Sequence, residues 1–196
     1  MAGGSTAKGS STRARILTEA RSALILGGLD GLVLREVAAA CGIKLGNLQY
    51  YFPTREALLM EVIRSEARLD VDVIKARGEA LEPAAALRAL VTELNSRWRG
   101  DGAAVFATLT ALALHRPEFR TLRNEIYGDF YAVLEPVIAA IDPGAGRQEV
   151  ALRARLVTAL IDGSPLQVDV GSAPRFLKRL QGVAARIAGA VEQGSA

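Results

Sequence analysis

A single cysteine, Cys41, excludes an intramolecular disulfide and makes a reducing compartment the default. It falls on an apolar helix face and reads as a small core residue. One cysteine and one histidine cannot build a zinc site of the usual kind, so no metal is expected. No Ser/His/Asp signature and no phosphate-binding loop appears, so the chain is expected to be neither an enzyme nor the holder of a cofactor. Aromatic residues make up only 5% of the chain, and long alternating β-branched runs are missing, which points to a helical core. No apolar run approaches the roughly 20 residues of a membrane span. The opening MAGGSTAKGSSTR lacks the apolar centre of a signal peptide, so a cytoplasmic, membrane-free protein is expected.

Hydrophobic residues are plentiful by contrast, at 50% with a mean hydropathy of +0.20. The most informative stretch is Leu32 to Phe52, LVLREVAAACGIKLGNLQYYF. Leu34, Val37, Ala38 and Cys41 recur at i, i+3, i+4 and i+7, one face of a helix. Gly42 follows, the residue that most cheaply takes the left-handed conformation at a helix end. Ile43 plugs the turn. The second run, Lys44 to Tyr51, buries Leu48 and leaves Lys44, Leu45, Gly46, Asn47, Gln49 and Tyr50 mostly outside. This pattern predicts a helix-turn-helix whose second helix is polar at its start. The net charge is +3 and uneven: before Tyr51, six Lys or Arg side chains (Lys8, Arg13, Arg15, Arg21, Arg35, Lys44) face Glu19, Asp30 and Glu36. Such a surplus suits an anionic partner, and equally a solvated surface.

The rest of the chain reads as helices. Met1–Ser11, rich in Gly, Ser and Thr, is expected to be a flexible arm. A first helix is expected from Thr12 to Leu26, stopped by Gly27-Gly28. A helix capped by Thr54 should run to about Ala76, with Leu58, Leu59, Val62 and Ile63 inward. Glu36 is expected to bond back to the N–H of residue 33 as half a capping box. The break between Gly78 and Pro83 marks a boundary, giving a domain over 12–76 and a second over 83–193. In the second, Pro83 starts a helix carrying Leu87, Leu90, Val91, Leu94 and Trp98. Ala103–Leu114, almost wholly apolar, is expected to be buried on most sides. The next helix carries Phe119, Leu122, Ile126, Phe130, Leu134, Val137 and Ile141, with Pro136 inside. The last two are expected over about Arg147–Gln167 and Pro174–Val191.

The run VLREVAAACGIKLGNLQYYFPTREALL, Val33 to Leu59, resembles the DNA-binding signature of the tetracycline-repressor (TetR) family. Val37-Ala38, Gly42, Leu48, Tyr51-Phe52 and the Thr54–Leu59 segment carry the likeness. Val33 and Lys44 depart from it, standing where a hydroxyl residue usually caps each helix. The resemblance implies an all-α protein: an N-terminal three-helix DNA-binding domain with a helix-turn-helix, then a helical ligand-binding and dimerisation domain. It implies a ligand-responsive repressor that binds a palindromic operator in double-stranded DNA as a homodimer. Carried over by position, Arg35, Leu45, Gly46, Asn47 and Gln49 face bases, and Lys44, Tyr50, Tyr51, Thr54 and Arg55 hold phosphates. It further implies an effector pocket for a small molecule, with Trp98, Phe106, Leu109, His115, Tyr127, Phe130, Tyr131 and Asp162 as candidate lining residues. Leu156, Leu160, Gly163, Phe176, Leu180, Val183 and Ile187 are the implied dimer interface. Taken singly, each pocket candidate also fits ordinary core packing, and His115 a helix end. The competing reading is a helical small-molecule-binding protein without DNA recognition.

Overall fold

The computed structural model describes residues 3–78, 81–167 and 174–190. Among the described residues there are nine α-helices and no strand. They are α1 Gly3–Gly31, α2 Leu34–Ala40, α3 Leu45–Tyr51, α4 Arg55–Gly78, α5 Pro83–Arg97, α6 Gly102–His115, α7 Pro117–Ile141, α8 Arg147–Gly163 and α9 Pro174–Ile187. A 3-10 turn, Ser164–Leu166, follows α8. The chain falls into two compact units. One comprises residues 1–66 and 104–123, the other 67–103 and 124–196.

The first unit is built on α1, whose Ile16, Ala20 and Leu24 are fully buried at four-residue spacing. The helix runs past Leu26 to Gly31 and bends at Gly28, which adopts φ 60°. Its start at Gly3 corrects the expectation of a flexible arm: residues 3–11 continue the helix. Extending a formed helix by a residue is far less costly than nucleating one, so a weak sequence can follow a strong one. Met1 and Ala2 lie outside the described residues.

In the two-helix motif Val37, Ala38 and Cys41 are buried on α2, and Leu48 is fully buried on α3. Gly42 takes φ 62° between them. Its N–H bonds to the Ala39 carbonyl at 2.9 Å, and that of Ile43 to the Ala38 carbonyl at 3.0 Å, closing α2 with backbone groups alone. No side chain caps α2 or α3. The expected bond from Glu36 to residue 33 is therefore not formed, and Glu36 is exposed. Thr54 does cap α4: its Oγ1 accepts the Ala57 N–H at 3.0 Å. Leu58, Leu59, Val62 and Ile63 are buried in the same unit.

The expected ranges 12–76 and 83–193 follow the breaks in the sequence, whereas the compact units follow packing. The division falls inside α4, after Glu66, and residues 104–123 of α6 and α7 belong with the N-terminal helices. Gly and Pro mark where a helix stops, whereas compactness follows packing, and an unbroken helix can serve two cores. The expected burial of α6 on most sides is also corrected. Val105, Leu109 and Ala113 form its buried stripe, while Leu114 is 64% exposed. A run of small apolar residues still buries only the face that meets neighbours.

In the second unit the α7 stripe runs Ile126, Phe130, Leu134 and Ile138, all buried, with Val137 and Ile141 half-buried. Helix α8 stops at Gly163 rather than Gln167. There the Ser164 hydroxyl, 2.7 Å from the Ile161 carbonyl and 3.0 Å from Asn95 Oδ1, redirects the chain. Pro165, without an N–H, cannot continue an α-helix. Helix α9 ends at Ile187, and Val191 of the expected span lies outside the described residues. Arg153 fastens this end, donating from Nη1 to Asp142 Oδ2 at 2.8 Å and the Ala188 carbonyl at 3.2 Å, and from Nε to Glu149 at 2.7 Å. Gly189, at φ 91°, passes so close to Arg153 and Asp142 that a Cβ would clash.

Leu48 is the only buried side chain of α3. Replacing Leu48 by Ala is expected to cost about 2–5 kcal/mol. Urea unfolding followed by circular dichroism measures the loss.

Candidate functional site

Helix α3 has seven residues, LGNLQYY, and displays nearly all of them. Lys44, Leu45, Gly46, Asn47, Gln49 and Tyr50 are exposed, as the sequence pattern requires, with Tyr50 at 82%. Arg35 of α2 is exposed as well. Two amides, an arginine, a lysine and an apolar side chain are thus exposed along the two-helix motif, while Leu48 is buried. This set can pair bidentately with purine edges and touch a thymine methyl. Tyr51 is half-buried, with its ring edge-on to Tyr50 at 5.3 Å, and Phe52 is buried.

The structure assigns other work to part of the basic surplus. Arg13 pairs with Glu61 at 3.0 Å and its guanidinium lies 5.2 Å from the Phe52 ring centre. Arg21 grips Glu66 with both nitrogens, Nε at 2.6 Å and Nη2 at 3.1 Å. Arg55, among the residues implied to hold phosphates, donates through Nη2 to the Leu29 carbonyl, and its Nε is buried without a partner. It staples the start of α4 to the end of α1. Thr54 is exposed, with its hydroxyl engaged as the α4 cap. Sequence spacing identified these residues but could not show which would be used internally.

The second unit encloses a cavity between α4, α5, α7 and α8. Ile74, Leu90, Leu94, Trp98, Phe130, Leu134, Thr158 and Ile161 line it. Its free space for water-sized spheres is ≈ 10 Å³, about enough for one water. Trp98 and Phe130 stand edge to face, 5.8 Å apart. Of the candidate pocket residues, these two line the cavity. Tyr127, Tyr131 and Asp162 belong to the same unit: the Tyr127 hydroxyl donates to Asp162 Oδ2 at 2.7 Å, and Arg155 stacks 4.8 Å over the Tyr131 ring. Phe106, Leu109 and His115 fall in the first unit, where Leu109 is buried, Phe106 half-buried and His115 exposed. The cavity therefore gathers a subset of the candidates. Leu90, Leu94, Leu134, Thr158 and Ile161 were missed as lining because their helical spacing is that of any core face.

Burial pushes the Asp162 carboxyl up to about 6, against the downward pull of the Tyr127 hydrogen bond. The native state thus holds a proton that the unfolded state releases between pH 4 and 6, so this group's contribution to stability falls as pH rises through that window. The penalty, complete above about pH 7, is up to about 3 kcal/mol. Asp162→Asn keeps an acceptor for Tyr127 and removes the charge. It is expected to stabilise the protein by about 1–3 kcal/mol at pH 7.5 and by far less at pH 4. Urea melts of both proteins at the two pH values measure this.

A further groove of ≈ 400 Å³ lies between α8 and α9, lined by Ala159, Leu160, Gly163, Ser164, Gln167, Phe176, Arg179, Leu180 and Val183. Leu152 and Leu156 extend it as exposed apolar side chains at 52% and 48%. Of the implied dimer residues, Leu156 is exposed. Leu160, Gly163, Phe176, Val183 and Ile187 are half-buried, and Leu180 is buried within the chain.

Comparison with known proteins places these features. Residues 16–62 match the family model for bacterial regulatory proteins of the tetR family. Residues 83–190 match that for the C-terminal part of BetI-type transcriptional repressors. The HTH-type transcriptional regulator RutR of Escherichia coli is 33% identical over 79 residues, 40% of this chain and 37% of RutR, so the likeness spans little more than a third of that relative. A transcriptional regulator of Streptomyces coelicolor superposes with a TM-score of 0.72 at 26% identity, covering 90% of this chain and 98% of that one. The multidrug binding protein EbrR, in complex with ethidium, gives 0.68 at 27% identity, with 90% and 97% covered. With its helix-turn-helix and its C-terminal helices both matched, the chain belongs to the TetR family of bacterial regulators, in its BetI-type branch.

Proposed function

We propose that this chain is a ligand-responsive, sequence-specific DNA-binding transcriptional regulator, a repressor that holds a palindromic operator as a homodimer. The exposed polar surface of α3 is the observation that carries the reading. Asn47 and Gln49 offer adenine-pairing amides, Arg35 a guanine-pairing fork, and Lys44 a charge for phosphate. Gly46 has no heavy atom within 4 Å of where its Cβ would stand, so the backbone there is open to close approach. A half-site is all that one such helix reads, and a two-fold dimer doubles it. No helix among the described residues is long and apolar enough to cross a membrane.

The dimer is assigned to the α8–α9 groove. Its floor is largely apolar, and Leu152 and Leu156 of α8 are exposed among the described residues. The effector is assigned to the cavity around Trp98 and Phe130, whose almost wholly apolar walls suit a small organic molecule. The resemblance to EbrR, seen with ethidium, supports that class of ligand.

Binding-site selection tests the DNA reading. Asn47→Ala should relax base preference at one position per half-site, an effect of about 1–3 kcal/mol. Lys44→Ala should weaken all sequences alike and lower the salt slope by about one. An Asn47→Ala protein that selects the wild-type operator would remove α3 as the reader. For the dimer, Leu156→Asp should shift the sedimentation profile from dimer to monomer at micromolar concentration, with helicity kept.

A further inference from the structure

Helix α9 carries Arg175, Lys178, Arg179 and Arg186, with no Asp or Glu anywhere in PRFLKRLQGVAARI. The whole chain has a net charge of only +3, so this one helix holds more positive charge than the protein does on balance. All four cations are exposed. With Gly182 they fall at helical spacing on the side of α9 turned away from the buried Leu180 and Ala184. Among the described residues, these five line a groove of ≈ 460 Å³. Arg179 lines the apolar α8–α9 groove as well, so it stands on the ridge between the two.

A solvated surface ordinarily mixes both signs of charge. Here Arg175 precedes Lys178 and Arg179 by three and four residues, the spacing at which like charges on a helix repel. The side chains of these three make no hydrogen bond or ion pair to another described residue. Arg186 folds back along the helix: its Nη1 lies 3.8 Å from where a Cβ on Gly182 would stand, one turn before its own Cα. It has another interaction within the protein too. The missing side chain at 182 thus leaves space for a guanidinium in the middle of the row. From 175 to 186 the row is about 16 Å long.

The described lining offers donors only. It has no carboxylate, no aromatic ring and no large apolar side chain to hold a base, a sugar or a hydrocarbon. Binders of single-stranded nucleic acid add aromatic platforms on which bases stack. A helix lying on a bilayer needs a free apolar face, whereas Leu180 and Ala184 are buried in the chain. What the groove suits is a ligand made of acceptor oxygens and negative charge, repeated along a line.

We propose that the α9 groove is a binding site for condensed phosphate, a linear chain of phosphoryl groups. Arg175, Lys178 and Arg179 anchor it, and Arg186 meets its far end. The site uses no residue of α3 or of the cavity around Trp98, and it does not depend on the operator reading.

Isothermal titration of the full chain with orthophosphate, tripolyphosphate and long-chain polyphosphate tests the site. A salt concentration of about 0.15 M screens diffuse surface charge. Affinity should rise with chain length, with tripolyphosphate at least about tenfold tighter than orthophosphate. The double variant Arg175→Gln, Lys178→Gln should bind tripolyphosphate about tenfold more weakly, with helicity kept. Lys75→Gln with Arg147→Gln removes the same charge from exposed positions of α4 and α8, and should bind as the wild type does. Equal losses in the two double variants would reduce the site to diffuse charge. A loss in Lys44→Ala that the α9 pair does not show would put the phosphate on the helix-turn-helix. Oligothymidylate of matched charge competing as well as polyphosphate would make the occupant a nucleic-acid strand. Each of these overturns the proposal. A wild-type protein that selects no DNA sequence, yet binds tripolyphosphate through α9, would overturn the proposed function and leave this site standing.

Discussion

A helix of seven residues is not stable by itself in water, since isolated helices shorter than about 12–15 residues are marginal even with favourable sequences. Helix α3 has that length, and its outward surface is given over to side chains that do not pack. Its existence depends on Leu48 being taken into the unit's core, where Val37, Ala38 and Cys41 of the motif are also buried. It also depends on the turn before it, where Gly42 alone takes positive φ and two backbone N–H groups close α2. Display of Asn47 and Gln49 is thus a consequence of burying one leucine. The arrangement explains why neither short helix needs a hydroxyl cap. Packing and the turn supply the free energy that a cap would otherwise contribute, about 1 kcal/mol.

Helix α4 poses the opposite problem. It is long, and it buries two carboxylates that would be costly alone. Each is relieved by donors from elsewhere in the chain, Arg21 of α1 for Glu66, and Arg97 of α5 with Trp98 just after it for Asp70. Replacing such pairs with leucine often leaves stability unchanged or improves it, so they are weak evidence for stability as such. What they add is direction. A carboxylate with two fixed donors accepts few orientations, whereas an apolar side chain can slide, and a helix held by directed bonds has discrete positions rather than a continuum.

Much of this was legible in the chain. The i, i+3, i+4, i+7 pattern from Leu34 to Cys41, the Gly42 turn and the isolated Leu48 predicted the motif and the exposed side chains of α3 residue by residue. They were legible because periodicity reports burial directly. The Thr54 cap and the Pro83 helix start were read from equally local rules. The failures are non-local. Residues 3–11 resemble an arm in composition but follow α1 into helix. Helix α6 looks like a core helix but buries a single stripe. Arg21 counted toward the basic surplus, and Arg55 toward the implied phosphate contacts, until the fold brought Glu66 and the Leu29 carbonyl to them. The cavity was half legible: Trp98 and Phe130 were identifiable as aromatic exceptions in a chain poor in aromatics, whereas its leucines had no mark to set them apart. The link from Trp98 to Asp70 spans 28 positions and the break between α4 and α5, so no spacing rule reaches it.

A nearly filled cavity is sometimes taken as evidence against a ligand site. For a switch it is closer to a requirement. A large empty pocket in the free protein would forfeit contacts at about 20–30 cal/mol for each Å³ left void, and a ligand entering it would meet the same walls in every state. Such a ligand binds tightly and shifts nothing, because only differential affinity moves an equilibrium. A cavity of about one water, walled in part by Trp98 and Phe130, leaves no room for an organic molecule unless a wall side chain moves. Trp98, one of those wall side chains, also donates its indole N–H to Asp70.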